Sequence, residues 1–167
     1  MSTTTYIIIM AVCLLLSAYF SATETAFSSA NVTRLKMLAE KGNSRAALAC
    51  RLLERYDKLL STILIGNNIV NIAAASIGTI LFTRALGAER GATMSTIVLT
   101  IVVLIFGEVT PKSLAKEMPE TVATAVSPML NLLMVLFTPL TWLFSQWKRL
   151  LGHFVHSTEE DTITEGE

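Results

Sequence analysis

The sequence is short of the residues from which soluble domains and enzymes are assembled. Charged side chains make up 16% of its 167 residues, against about 25% in an ordinary soluble domain, so a water-exposed globule is excluded. The 13 basic and 13 acidic residues cancel, which leaves no positive excess to hold a nucleic acid. The two histidines, His153 and His156, lie beyond the last apolar run, and no nucleophile stands with a base, so enzyme activity is not expected. The two cysteines are Cys13 in an apolar run and Cys50 in a basic segment. They give neither a disulfide framework nor metal-ligand spacing. No Lys or Arg precedes Tyr6, which argues against a cleaved signal, since that needs a basic leading region.

What the sequence has instead is four stretches without Asp, Glu, Lys or Arg: Ser2 to Thr23, Leu59 to Thr83, Gly91 to Gly107 and Thr121 to Trp147. A helix rises about 1.5 Å per residue and a bilayer core is about 30 Å thick, so runs of roughly 17 to 25 residues reach across it. The basic residues Arg34, Lys36, Lys41, Arg45, Arg51, Arg55 and Lys58 gather between the first two runs, which makes that segment cytoplasmic and the N-terminus external. Within it, Asn31 is a candidate N-cap, Gly42 and Asn43 mark a break, and Ser44 is a candidate cap for a second helix.

The fourth run contains Pro128 and Pro139, and crossing there would place Lys148, Arg149 and an acidic tail outside. Each proline removes a backbone donor, which membrane helices tolerate only where protein or water satisfies the freed carbonyl. The expectation is therefore an all-α integral membrane protein. It has three transmembrane helices at about 4–27, 59–82 and 91–110, a cytoplasmic helical hairpin at about 31–57, and a kinked juxtamembrane belt at about 119–151. Trp142 and Trp147 would then sit at headgroup depth. A fourth span is the alternative.

Polar residues inside the runs are periodic. Ser17, Ser21, Glu24 and Ser28 form one helical stripe, and Asn67, Asn71, Ala74 and Gly78 form another just after Gly66, with Asn68 turned about 100° away. In the third run Pro111 has no N–H to give the carbonyl of Gly107, one residue before Glu108. Together these are hydroxyl, amide, backbone-carbonyl and carboxylate oxygens, hard ligands that suit Mg2+, Ca2+ or Na+. Plainer roles exist for each. A membrane serine usually bonds its own helix, asparagines join helices at about 0.6 to 2 kcal/mol per bond, and Glu24 and Glu108 are close enough to the run ends to reach headgroup water. An intramembrane carboxylate is nonetheless a functional candidate by default.

The segments SAYFSATETAFSSAN (17–31), LIGNNIVNI (64–72) and FGEVTPKS (106–113) together resemble the transmembrane domain of the CNNM/CorC magnesium transporters, over most of the chain to about Leu151. The resemblance implies a homodimer in the plasma or bacterial inner membrane that exports Mg2+, driven by inward Na+. The ion would bind dehydrated or partly dehydrated between three helices. It implies a site of Ser21, Gly66, Asn67, Asn68, Asn71 and Gly107, with side-chain oxygens from Ser21, Asn67 and Asn71 and backbone carbonyls from Gly66 and Gly107, and a role for Glu108 or Glu24 in neutralising the ion or coupling to Na+. Ser17 and Glu24 are further candidate ligands, and Pro111 is the kink that frees a carbonyl. Family members continue into nucleotide-binding CBS domains, whereas 152–167 is a polar acidic tail. The chain thus reads as truncated before them, with no nucleotide site expected.

Overall fold

The computed structural model describes residues 2–144, 146 and 147, and no strand occurs among them. Helix α1 (Thr3–Ser29) starts where Ser2 Oγ accepts the N–H of Thr5. It stops at Ala30, beyond which the Asn31 side chain accepts the Arg34 N–H and caps α2 (Val32–Glu40). Gly42 has φ +90°, a conformation that suits glycine alone. Its N–H bonds Ala39 O while the Asn43 N–H bonds Leu38 O, the paired 5→2 and 6→1 bonds of a Schellman stop. That leaves Asn43, not Ser44, as the cap of α3 (Ser44–Leu53), its amide oxygen accepting from Arg45 and Ala46 N–H.

α4 (Tyr56–Leu86) runs antiparallel to α1: Phe20 covers Gly66 near the middle, and Arg84 lies 4.9 Å over the Tyr6 ring at the far end. Gly87, at φ +85°, turns the chain at once into α5 (Ala88–Val102). The helix continues as a π-helical segment (Val103–Val109) and then as α6 (Thr110–Glu117), so Ala88–Glu117 is one long apolar rod. It extends past the 91–110 expected. Thr79 and Ser95 hydroxyls meet at 3.4 Å near its start, and Lys112 reaches Glu24 at 3.0 Å near its end. The rod is therefore antiparallel to α4 and parallel to α1.

α7 (Pro119–Leu136) contains Pro128 without stopping there, and it breaks at Phe137, two residues before Pro139. Its start is tied to the hairpin by Glu120, which accepts the Asn31 N–H at 3.1 Å and pairs with Arg34 at 3.6 Å. Beyond its end, Thr138 accepts from Lys58 Nζ at 3.0 Å, at the start of α4. Both ends of α7 thus lie at the hairpin end of the bundle, and between them Tyr19 Oη donates to Val126 O at 3.1 Å. Four helices are long and apolar enough to cross a membrane, by length and composition alone: Thr3–Ser29, Tyr56–Leu86, Ala88–Glu117 and Pro119–Leu136.

The buried cluster occupies the hairpin half, where Phe20, Phe27, Leu35, Leu59, Leu130 and Met134 pack together. Elsewhere large apolar side chains point outward, among them Leu15 (71% exposed), Ile72 (67%) and Leu132 (67%). In water such a surface would aggregate, while in hydrocarbon it is solvated. The expected Trp142 and Trp147 are both exposed. Lys148, Arg149 and the tail at 152–167 lie outside the described residues.

Candidate ion site

The two polar stripes face each other across the α1–α4 seam. Ser17 Oγ donates to Asn67 Oδ1 at 3.3 Å, and Asn71 Nδ2 donates to the same oxygen at 3.4 Å. Two positive hydrogens therefore sit where a cation bound to that amide oxygen would sit. One helical turn toward the hairpin end lies Ser21, and one turn the other way lies Asn71. Side chains lean toward the N-terminus of their own helix. In antiparallel helices that tilts Ser21 and Asn71 toward each other, over the Ser17–Asn67 pair.

The ladder is not fully bonded. Ser21 is 1% exposed, and its Oγ has no partner; Asn71 Oδ1 is buried and has none either. A buried polar atom left without a partner costs about 1–3 kcal/mol, so an empty pair of acceptors at a helix crossing is a feature that a cation would relieve. Among the described residues no three His, Cys, Asp or Glu side chains gather as a metal cluster. The converging donors are hydroxyl and amide oxygens instead.

The third helix closes on this ladder through Gly107. A Cβ there would come within 2.9 Å of Ser17 Oγ, so only a glycine lets the rod approach so near. The π-helical register places the Thr110 N–H on Ile105 O, five residues back. The next N–H in line would be that of Pro111, which is absent. Pro111 stands five residues after Phe106 and four after Gly107, so neither the π nor the α pattern draws a hydrogen bond from it for those two carbonyls. The expected break thus falls where the helix changes register: Pro111 gives no N–H to Gly107 O at four-residue spacing, while the Cα side of Gly107 lies against Ser17.

The other expected ligands are placed less directly. Gly66 lies under the Phe20 ring in an unbroken helix, so its carbonyl serves the helix and has a second lone pair to offer. Asn68 is exposed and donates to Leu64 O at 2.8 Å, off the Ser17–Asn67 face. Ser28 is also exposed and bonds Glu24 O. Glu108 is half-buried and lines a cavity of about 310 Å3 with Asn71, Thr79 and Ser95. Glu24 lines a cavity of about 610 Å3 on the hairpin side, with Asn67, Asn68 and Asp57. The Asn67–Asn71 pair therefore bridges two cavities, the larger lined by the carboxylates Glu24 and Asp57 and the smaller by Glu108.

Helical periodicity within α1 gives no sign that Lys112, on another helix, is the partner of Glu24. Their separation of 3.0 Å, with side chains 43% and 46% exposed, makes a pair worth at most about 1 kcal/mol. Lys112→Met is expected to shift thermal unfolding by no more than that. A larger loss would mean that the pair holds α1 to α6.

Fold and site together define a polytopic all-α membrane protein in which the polar stripes of α1 and α4 meet beside Gly107 of the third long helix. Residues 8–167 match the family model for the cyclin M transmembrane N-terminal domain, and the chain belongs to this CNNM family. It is 44% identical over 151 residues to a UPF0053 protein of Haemophilus influenzae, covering 90% of this chain and 36% of that one. It is 45% identical over 136 residues to the UPF0053 inner membrane protein YfjD of Escherichia coli, covering 81% and 32%. A more distant relative, 28% identical over 143 residues with 78% and 33% covered, is the polyamine export protein of Haemophilus influenzae. The chain spans about a third of the length of these relatives.

Proposed function

We propose that this domain exports Mg2+, with the ion held between α1, α4 and the Gly107 bend and its movement driven by inward Na+. The observation that carries the reading is the pair of buried, unpartnered oxygens, Ser21 Oγ and Asn71 Oδ1, flanking Asn67. Mg2+ sheds water reluctantly and takes six oxygens at about 2.0 to 2.1 Å. The ladder, the Gly107 carbonyl and retained water supply that number. Glu24 and Glu108 stand back from the ladder in separate cavities. They carry the negative charge that the neutral ligands lack and are the candidates for Na+. Alternating access then amounts to opening one cavity and closing the other around a fixed site.

In this reading the hairpin end is cytoplasmic and the N-terminus external, as the basic residues direct. α7 is a belt along the inner interface, which its two ends at one level support. The domain works as a homodimer in the cell membrane.

The test is flux in liposomes containing the purified chain. Mg2+ is expected to move against its own gradient when Na+ is imposed in the opposite direction, and to stop when the Na+ gradient collapses. Flux indifferent to Na+ would make this a channel. Thermal protection by Mg2+ without flux would make it a sensing subunit. Spermidine is the competitor to include, given the polyamine exporter among the relatives. An extended polycation needs carboxylates spaced along it, and at this crossing the near donors are neutral, so spermidine is expected to compete poorly.

A further inference from the structure

A third cavity, of about 310 Å3, opens at the hairpin end between α3, the start of α4 and α7. Three cations enter it, Arg51, Arg55 and Lys58, with Asn131 opposite and Leu52, Met134 and Val135 forming apolar wall. Glu54 is the one acid in the lining. Among the described residues none of the three cations forms an ion pair. The ion pairs are Arg34–Glu120 and Lys112–Glu24, and Lys58 meets only the Thr138 hydroxyl. Arg51 and Arg55 are exposed and Lys58 is half-buried, and all three line this one concave space, where their like charges favour an anion between them.

The surroundings say what kind of anion fits. Val135, in the cavity wall, continues into an uncovered apolar face of α7 at Leu132 and Leu136, which are 67% and 65% exposed. A ligand that placed an anionic phosphate among the cations would have hydrocarbon surface directly beside it. Basic pockets between helices on the cytoplasmic side of a membrane have this combination. We propose that the cavity binds the phosphate of an anionic phospholipid, with an acyl chain lying along the Val135–Leu136 side of α7. This rests on the orientation given above, with the hairpin end at the inner interface, and not on which ion the domain moves.

The test is native mass spectrometry of the purified chain in detergent with equimolar dioleoyl phosphatidylglycerol and dioleoyl phosphatidylcholine, with inorganic phosphate in a parallel arm. Each basic group near an anionic lipid is worth about a factor of five in affinity, so three are worth about 100-fold. Wild type is expected to retain one phosphatidylglycerol per protomer, preferred by roughly 100-fold over phosphatidylcholine. Arg51→Gln/Arg55→Gln/Lys58→Gln is expected to lose that preference. Lys36→Gln/Lys41→Gln/Arg45→Gln, which removes as much charge from positions of the same hairpin outside the cavity lining, is expected to keep it. Asn131→Trp fills the cavity without touching a charge and is expected to expel the lipid. Equal retention of the two lipids, equal losses in the two triple variants, or full retention in Asn131→Trp would each overturn the proposal. So would displacement of the lipid by millimolar inorganic phosphate, which would make the ligand soluble.

Discussion

Asn71→Ala is expected to unfold at the same or a higher temperature than wild type when no Mg2+ is present, and to gain almost nothing when Mg2+ is added. The two halves of this result have different causes. Without the ion, alanine removes a buried oxygen that has no donor, relieving about 1–3 kcal/mol, and gives up only the 3.4 Å contact to Asn67. In the proposed site the same oxygen is a ligand of the ion. Even a neighbour that only orients a metal ligand contributes 10–100-fold to affinity, so losing the ligand itself is expected to cost at least about 100-fold. At an Mg2+ concentration 100 times the wild-type Kd, protection of about 2.7 kcal/mol would then shrink to about 0.4 kcal/mol. Ser21→Ala is expected to act in the same direction. If Asn71 merely joins helices, alanine lowers stability by about 0.6 to 2 kcal/mol without Mg2+ and leaves the Mg2+ shift intact. That outcome would remove Asn71 from the site.

Half of this site was legible because helical periodicity says which residues share a face. Ser17 with Ser21, and Asn67 with Asn71, were visible as stripes, and Asn68 was visibly off its stripe. Periodicity does not say which faces meet, nor at what level. That Ser17 stands opposite both Asn67 and Gly107 follows from the antiparallel packing of α1 and α4 and from the close approach that Gly107 permits. Pro111 announced a broken bond, but not the response to it. The ladder shifts to five-residue spacing already at Val103, eight residues upstream, so that the defect is spread over two turns of helix.

The fold divides in the same way. Uncharged runs gave the long helices, because hydrocarbon excludes charge over a fixed thickness. Gly42 gave the hairpin turn. The cap moved from Ser44 to Asn43 because the Schellman turn fixes where α2 releases the chain, and the residue just past it inherits the capping position. The course of the fourth run was not decidable from composition, since a belt and a span are equally apolar. It is long-range bonds, Glu120 to Asn31 and Thr138 to Lys58, that return both of its ends to one level, and these join residues about 80 to 90 positions apart.

Gly66→Ala is expected to destabilise the protein by about 2 kcal/mol or more and to abolish Mg2+ protection, although alanine is the better helix former by about 1 kcal/mol. The added Cβ would come within 2.8 Å of three carbons of the Phe20 ring. Phe20 is 3% exposed, and it meets the Tyr19 ring edge-on at 5.5 Å. Tyr19 is itself held by its bond to Val126 O, so the ring has nowhere to swing. α1 and α4 must part instead. Overpacking of this kind costs about 1–3 kcal/mol and occasionally more, and parting the helices stretches the Ser17–Asn67 bond one turn away. Thermal unfolding of Gly66→Ala with and without Mg2+ measures both effects. Adding Phe20→Leu to the same chain is expected to restore part of each, with a coupling of at least about 1 kcal/mol between the two changes. The backbone carbonyl of residue 66 is present in glycine and alanine alike. If Gly66 matters only through that carbonyl, Gly66→Ala keeps its Mg2+ protection and Phe20→Leu rescues nothing; loss with rescue shows that the glycine sets the distance at which the two polar stripes meet.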